Sequence, residues 1–454
     1  MKDLRQEGYD IGREQLQAAL DRSPEMASSL VVPPSIAASA LQAQRARAAA
    51  EIQHLPQTAG EYEQIKARRS MANTVAPQRT ASGMIDFVLQ NFQYRYVSTH
   101  TYLSAYNQPG KRVVDLILGM LVDYDWWLAK GRHTPTTLAK QVEVMERISV
   151  LTQGRIHAFV PYCPLRQVAK QLGEGNDDAL QLEKDAITKQ GCIGVKLYPP
   201  MGFAPLGSAT KDGGRFWAQS WLPSWTARPD LGKMLDDAMR VLFDWCQAEQ
   251  VPIMAHTNLS NGPCDAFENL AGAEYWARAL QEFPRLRVSF GHFGDTSPVE
   301  DGLDRARAFC ALMSANANAP GVNAFADAGY FVDVLDREPR LRDVLHTLYD
   351  ETAPKGKAAL AYRLMYGTDW EMTLVEGAVN TYLSDFVTLM DEMEARRALQ
   401  SHGISQLSAR FFGDNAVEWL GLHQGQPSRK RLDDFYRRNA VPQPDWVAKV
   451  DRMA

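Results

Sequence analysis

The chain has 454 residues, 45% hydrophobic and 23% charged, the balance of a globular protein with room for one large domain or two ordinary ones. Its net charge of -5 gives no reason to expect nucleic acid, and no apolar run approaches the roughly 20 residues a membrane helix needs. The polar N-terminus lacks the apolar centre of a secretory signal, and five scattered cysteines form no Cys-x-x-Cys pair, which fits reduced thiols in a cytoplasm.

Residues 1–110 read as a helical region or a long insertion, with Ser35 as a candidate helix cap and no strong strand. From Arg112 a rhythm begins. Val113–Asp125 is a near-continuous apolar run, as expected of a strand buried on both faces. An amphipathic helix follows, with Thr134-Pro135 as its start signal, then a strand at Arg155–Tyr162 and a helix at Asp177–Gln190. The next strands are Cys192–Tyr198, Pro252–Thr257, Arg287–His292, Tyr330–Asp336 and Arg363–Asp369, each preceded by a helical pattern, and a last helix runs from near Val379 to Glu394.

Such alternation predicts a parallel α/β sheet with right-handed crossovers, and eight units would close a (β/α)8 TIM-like barrel. Only seven good strands are legible, so the first strand is expected to be lacking or replaced by a weak segment of the N-terminal region. The barrel is expected to span residues 111–424, with a tail at 425–454. A long loop from Pro199 to Pro229 carries Trp217, Trp221 and Trp225, either as a functional element or as an excursion pinned by packed aromatics. The basic run Ser428–Arg438 reads as a solvated face.

Four ionisable residues stand at strand ends: Lys196, His256, His292 and Asp369. In a parallel barrel the C-terminal strand ends form the floor of the active site. Imidazole and carboxylate suit a metal that activates water. Asp369 stands directly after an apolar strand, where a carboxylate is costly unless paired or metal-bound. Asp123 also ends a strand, where it could bind substrate or a metal or cap the next helix. Asp125 reads as a cap or an exposed residue, Asp295 as an orienter of His292 or a cap, and His157 as structural.

The segments GCIGVKLYPPMGF, PIMAHTN, RVSFGHFGD and MYGTDW, with the closing FFGDNAVEWLGL, together resemble the amidohydrolase superfamily in its amidohydrolase-related branch of metal-dependent barrel hydrolases and decarboxylases. The resemblance covers residues from about Arg112 to Leu422. It implies that His256 and Asp369 bind one divalent metal ion, expected to be zinc. It further implies that Asp369 carries the proton of the attacking water and that His292 polarises the substrate or joins the metal. Some members carry a carboxylated lysine at the place of Lys196. With a single metal, Lys196 is expected to face the substrate instead, with Tyr198 and Asp123 beside it.

The family's first strand carries His-x-His, and no His-x-His occurs in this chain. The candidate explanations are a first strand missing from the N-terminus, genuine loss, or replacement by His100 or His133. The expected activity is hydrolysis of a C–N, ester or lactone bond in a small organic substrate through metal-activated water. Non-oxidative decarboxylation of an aromatic or unsaturated acid on the same site is the alternative, and a catalytically inactive barrel is the third reading. Self-association into a homo-oligomer is expected of a barrel enzyme of this size. A dinucleotide enzyme fits poorly, because no G-x-G-x-x-G follows any strand.

Overall fold

The computed structural model describes residues 102–103, 105–107, 112–132, 137–258, 263–294, 302–315, 323–331, 341–375 and 381–453. The chain divides into two compact units. One comprises residues 115–329, 341–367 and 388–454; the other comprises residues 1–114, 330–340 and 368–387. The helical region expected before residue 101, and His100, His133 and Asp295, lie outside the described residues.

The larger unit is built on a seven-stranded sheet whose strands follow chain order. These are β1 (Ile117–Met120), β2 (Ile156–Pro161), β3 (Gly194–Leu197), β4 (Pro252–His256), β5 (Arg287–Gly291), β6 (Asn323–Asp327) and β7 (Leu364–Met365). Every neighbouring pair is parallel. Helices fill the connections, among them α1 (Asp125–Ala129), α2 (Leu138–Leu151), α3 (Pro164–Leu172), α4 (Ala179–Thr188) and α5 (Leu231–Glu249). This is the strand-and-helix order of a (β/α)8 barrel with seven of its strands, and among the described residues no ladder joins β7 to β1.

The apolar runs become strands because both faces of the sheet are covered: every residue of β2, β3, β4 and β5 is buried. The helices begin where side chains satisfy their first amides. Asp178 accepts from Gln181 N at 2.9 Å, and Thr137 caps α2 by accepting from Lys140 N at 3.3 Å, three residues beyond the expected Thr134 signal.

The sixth strand is a correction. Tyr330–Asp336 has the richer β-forming composition, and its residues 332–336 lie outside the described residues; the strand that pairs with β5 is Asn323–Asp327, in register from Arg287↔Asn323 to Phe290↔Ala326. Tyr330 lies past it in a turn with φ +64°.

The expected tail is not a tail. Helices α6 (Pro427–Arg438) and α7 (Asp445–Asp451) place Leu432, Phe435, Tyr436, Trp446, Val447 and Val450 in one apolar cluster with Phe159 and Trp419, whose rings stack at 5.4 Å. The basic run on α6 is engaged within the unit: Arg429 pairs with Asp433 and Asp451, and Arg431 donates to Glu249 O. His157 is fully buried, with Nδ1 2.7 Å from Gly191 O and Nε2 2.7 Å from Tyr436 Oη. Burial lowers its pKa to about 4, against the opposing pull of the Gly191 hydrogen bond.

In the other unit Tyr102 and Tyr106 meet Trp370 edge-on at 5.2 and 5.7 Å, and Phe331 N donates to Tyr382 Oη at 3.1 Å.

Candidate active site

Parallel pairing sets the C-terminal strand ends side by side. His256, the last residue of β4, is paired with Gly291, the last of β5, so His292 follows directly beside it. The two imidazoles meet edge to face with centroids 4.6 Å apart. On the other side of His256, Tyr198 stacks on the ring at 4.3 Å. Lys196, within β3 and 8% exposed, is near enough for its charge to act on His256.

His256 is 6% exposed, and its pKa is held well below the usual histidine range. Burial is the main cause, and the neighbouring His292 and Lys196 add to it against a hydrogen bond with the Asn258 backbone. The ring is therefore neutral at ordinary pH. Its Nε2 is buried and has no hydrogen-bond partner among the described residues, and the same holds for Asn258 Oδ1. A buried imidazole nitrogen left unsatisfied is a position awaiting a ligand or hydrogen-bond partner.

His292 Nδ1 lies 2.9 Å from Gly329 O. A carbonyl only accepts, so Nδ1 carries the hydrogen and Nε2 of the neutral ring carries the lone pair. Asp327, the last residue of β6 and 7% exposed, accepts from the backbone N–H of His292 and Gly329 at 3.3 and 3.0 Å and from Ser289 Oγ at 3.3 Å. This residue was not foreseen, because the strand that carries it was placed too late in the chain. The segment Asp327-Ala328-Gly329 just before the apolar run was the available signal.

Lys196 and Tyr198 also line a small cleft with Asp123, Trp127, Cys163, Met201 and Phe203. Trp127 and Phe203 form a stacked pair at 6.1 Å on its apolar side, and Trp127 Nε1 is buried without a hydrogen-bond partner among the described residues. The long loop after β3 holds this wall in place. Trp217 is fully buried and donates to Gly202 O at 2.7 Å, and Asp236 accepts from the backbone N–H of Gly207, Ser208 and Ala209.

Asp123 lines the cleft, but its carboxylate is engaged. Arg166 donates to it from Nε at 2.7 Å and from Nη2 at 2.9 Å. The same guanidinium bonds Asp125 at 2.8 Å, so Asp125 is buried in an ion pair rather than exposed. Burial opposes the charge on Arg166, and the hydrogen bonds it donates to Asp123 and Asp125, with the charge of Asp123, overcome it, raising its pKa.

Asp369 belongs to the other unit. It follows β7 with φ +46°, is solvent-exposed, and accepts through its backbone oxygen from Met372 and Thr373 at the start of a short helix. Being exposed, its carboxylate needs no partner to offset burial, and that part of the expectation falls away.

Unsatisfied His256 Nε2 fits a nitrogen ligand of a divalent cation. Among the described residues no group of three or more His, Cys, Asp or Glu is placed to hold a metal ion.

The Amidohydrolase family model matches residues 165–422, more than half of the chain, and the chain belongs to that family. The family is metal-dependent. No curated protein matches the sequence. Among solved structures, the chain resembles a Pseudomonas putida protein assigned as a 2-pyrone-4,6-dicarboxylic acid hydrolase, at 16% identity and a TM-score of 0.37, over 71% of this chain and 86% of that one. It also resembles 2,6-dihydroxybenzoate decarboxylase from Rhizobium, at 15% identity and a TM-score of 0.35, over 63% and 77% of the two chains. A third is 5-carboxyvanillate decarboxylase from Novosphingobium aromaticivorans, complexed with manganese, at 14% identity and a TM-score of 0.38, over 80% and 93%. At TM-scores this low the likenesses carry no functional weight. No described helix is long and apolar enough to cross a membrane.

Proposed function

We propose that the chain is a metal-dependent hydrolase of a C–N, ester or lactone bond in a small organic substrate, working at the ends of β3 to β6. The observation that carries this reading is the buried, unsatisfied Nε2 of a neutral His256 beside His292. His256 would supply a nitrogen ligand to one divalent cation, with zinc as the first choice. When bound, the cation supplies Lewis acidity and a nucleophilic water at neutral pH.

The chain's own groups do the rest. Tyr198 stacks on His256 and fixes the plane of its ring. With its Nδ1–H held on Gly329 O, His292 presents Nε2 as a proton acceptor, and the proton taken up there can be given to the substrate's developing oxyanion. Trp127, Met201 and Phe203 give the small cleft beside Lys196 an apolar wall. Five free cysteines, four of them buried, support a cytoplasmic location.

Lys196 favours a second reading. A nearly buried ammonium in an apolar-walled cleft suits a carboxylate, so decarboxylation of an aromatic or unsaturated acid on the same residues is the alternative. The test is turnover of a panel of lactones, esters, amides and aromatic acids by the chain supplied with Zn2+ or Mn2+, with H256A beside it. Acid release supports hydrolysis and CO2 release the alternative. Turnover that survives H256A, or none with any substrate class, contradicts both.

A further inference from the structure

The His292–Gly329 contact raises the question of what holds it. His292 and Phe293 are consecutive side-chain-bearing residues with φ +61° and +45°, a left-handed turn that L-residues rarely adopt twice in succession. Such a turn persists only where its surroundings fix it. The fixing group is Asp327. One oxygen, Oδ1, accepts from the N–H of His292, the residue that donates through its ring, and from the N–H of Gly329, the residue whose carbonyl receives that ring hydrogen. Both ends of the contact are thus tied to one atom. The other oxygen is steadied by Ser289 Oγ on β5.

The backbone is built to leave room for this carboxylate. A Cβ at Gly329 would stand 2.9 Å from Asp327 Oδ1 and 3.5 Å from His292 Nδ1. At Gly367 it would stand 3.2 Å from the same oxygen. Glycine at 329 lets the carbonyl approach the imidazole closely while its amide stays on the carboxylate.

We infer that Asp327 is a positioning residue: by holding the backbones of His292 and Gly329 on one carboxylate oxygen, it fixes His292 in the Nδ1–H tautomer and aims Nε2 as an acceptor. Among the described residues its oxygens accept from the N–H of His292 and Gly329 and from Ser289 Oγ, so its action on the reaction runs through His292. A buried acid that merely closes a strand end would leave the tautomer indifferent to its removal.

The test reads the ring directly. Full-length chain carrying 15N-labelled histidine is compared as wild type, D327N and D327A, with His292 assigned by loss of its signals in H292Q. The wild type and D327N, which keeps an accepting oxygen, are expected to show a single Nδ1–H tautomer, and D327A a mixture of the two. An unchanged Nδ1–H signature in D327A, an Nε2–H tautomer in the wild type, or a mixture in D327N overturns the assignment. Should D327A fail to fold, amide exchange in the wild type decides: His292 and Gly329 N–H are expected to be protected, and unprotected exchange at either overturns it. The assignment rests on reading His292 as a site residue. Because the ring is observed without turnover, an inactive chain with the expected tautomer would count against the proposed reaction and leave the positioning role standing.

Discussion

His256 and His292 meet edge to face, centroids 4.6 Å apart, because β4 and β5 are paired so that the last residue of one strand lies opposite the last residue of the other. Their ring nitrogens are not equivalent. His256 Nε2 has no protein partner among the described residues, whereas His292 Nδ1 is fixed on Gly329 O. The first nitrogen is free to take a ligand and the second ring is set to move a proton. Replacing His292 with Asn should therefore lower kcat by about 10²–10⁴, the usual weight of a general acid–base group, and leave KM nearly unchanged. Steady-state kinetics on any substrate the panel identifies will show it; an equal loss in KM would mean that His292 binds rather than reacts.

Arg166 holds Asp123 and Asp125 together in a buried cluster, with side chains of all three no more than 5% exposed. Removing the cation leaves two buried carboxylates without their shared guanidinium. R166M is expected to destabilise the chain by about 3–5 kcal/mol, measured as a drop in the urea midpoint at constant slope. A change below about 1 kcal/mol would show that solvent or another cation compensates the pair.

Glu183 on α4 is fully buried, and neither carboxylate oxygen has a hydrogen-bond partner among the described residues. Burial, with the charge of Asp123 adding and that of Arg166 opposing, pushes its pKa well above the usual 4.5, so the native state holds it protonated. The raised folded value means that its contribution is complete below pH 4.5 and is lost as pH rises toward the folded pKa. Wild-type stability relative to E183Q should fall by up to about 1.4 kcal/mol per pH unit across that window. Denaturation of both proteins between pH 5 and 8 would show it, and a pH-independent difference would mean that Glu183 finds a partner in solution.

His157 gives the opposite limb. Its folded pKa of about 4 lies below the ordinary 6.5, so protons bind the unfolded chain more readily. Stability from this group is complete above pH 6.5 and declines as pH falls to about 4, by at most about 3 kcal/mol. H157Q should flatten that acid limb in a stability–pH profile. An acid limb of unchanged slope would place the titrating group elsewhere.

Six of the seven strands were legible because a strand covered on both faces must be an apolar run, and each of those runs stands between helical periods. The sixth was not, because Asn323–Asp327 is short and rich in Ala, and the run starting at Tyr330 has stronger local β character. Pairing to β5 and β7 overrides that local preference. The proximity of His256, His292, Lys196 and Tyr198 was legible from their places at strand ends. The engagement of Asp123 by Arg166, 43 residues away, was not, since no periodic pattern links a strand end to the third helix after it. The exposure of Asp369 was hidden for a similar reason: it follows an apolar strand in sequence, and its turn at φ +46° leaves it in solvent.

The most direct test of the central claim is the divalent metal content of the purified full-length chain after equilibration with Zn2+ and with Mn2+ and removal of free ion, with H256A treated alongside. The account predicts about one ion per chain in the wild type and its loss in H256A, because His256 Nε2 is the buried nitrogen left for it. Equal metal in both proteins, or none in the wild type, would contradict it.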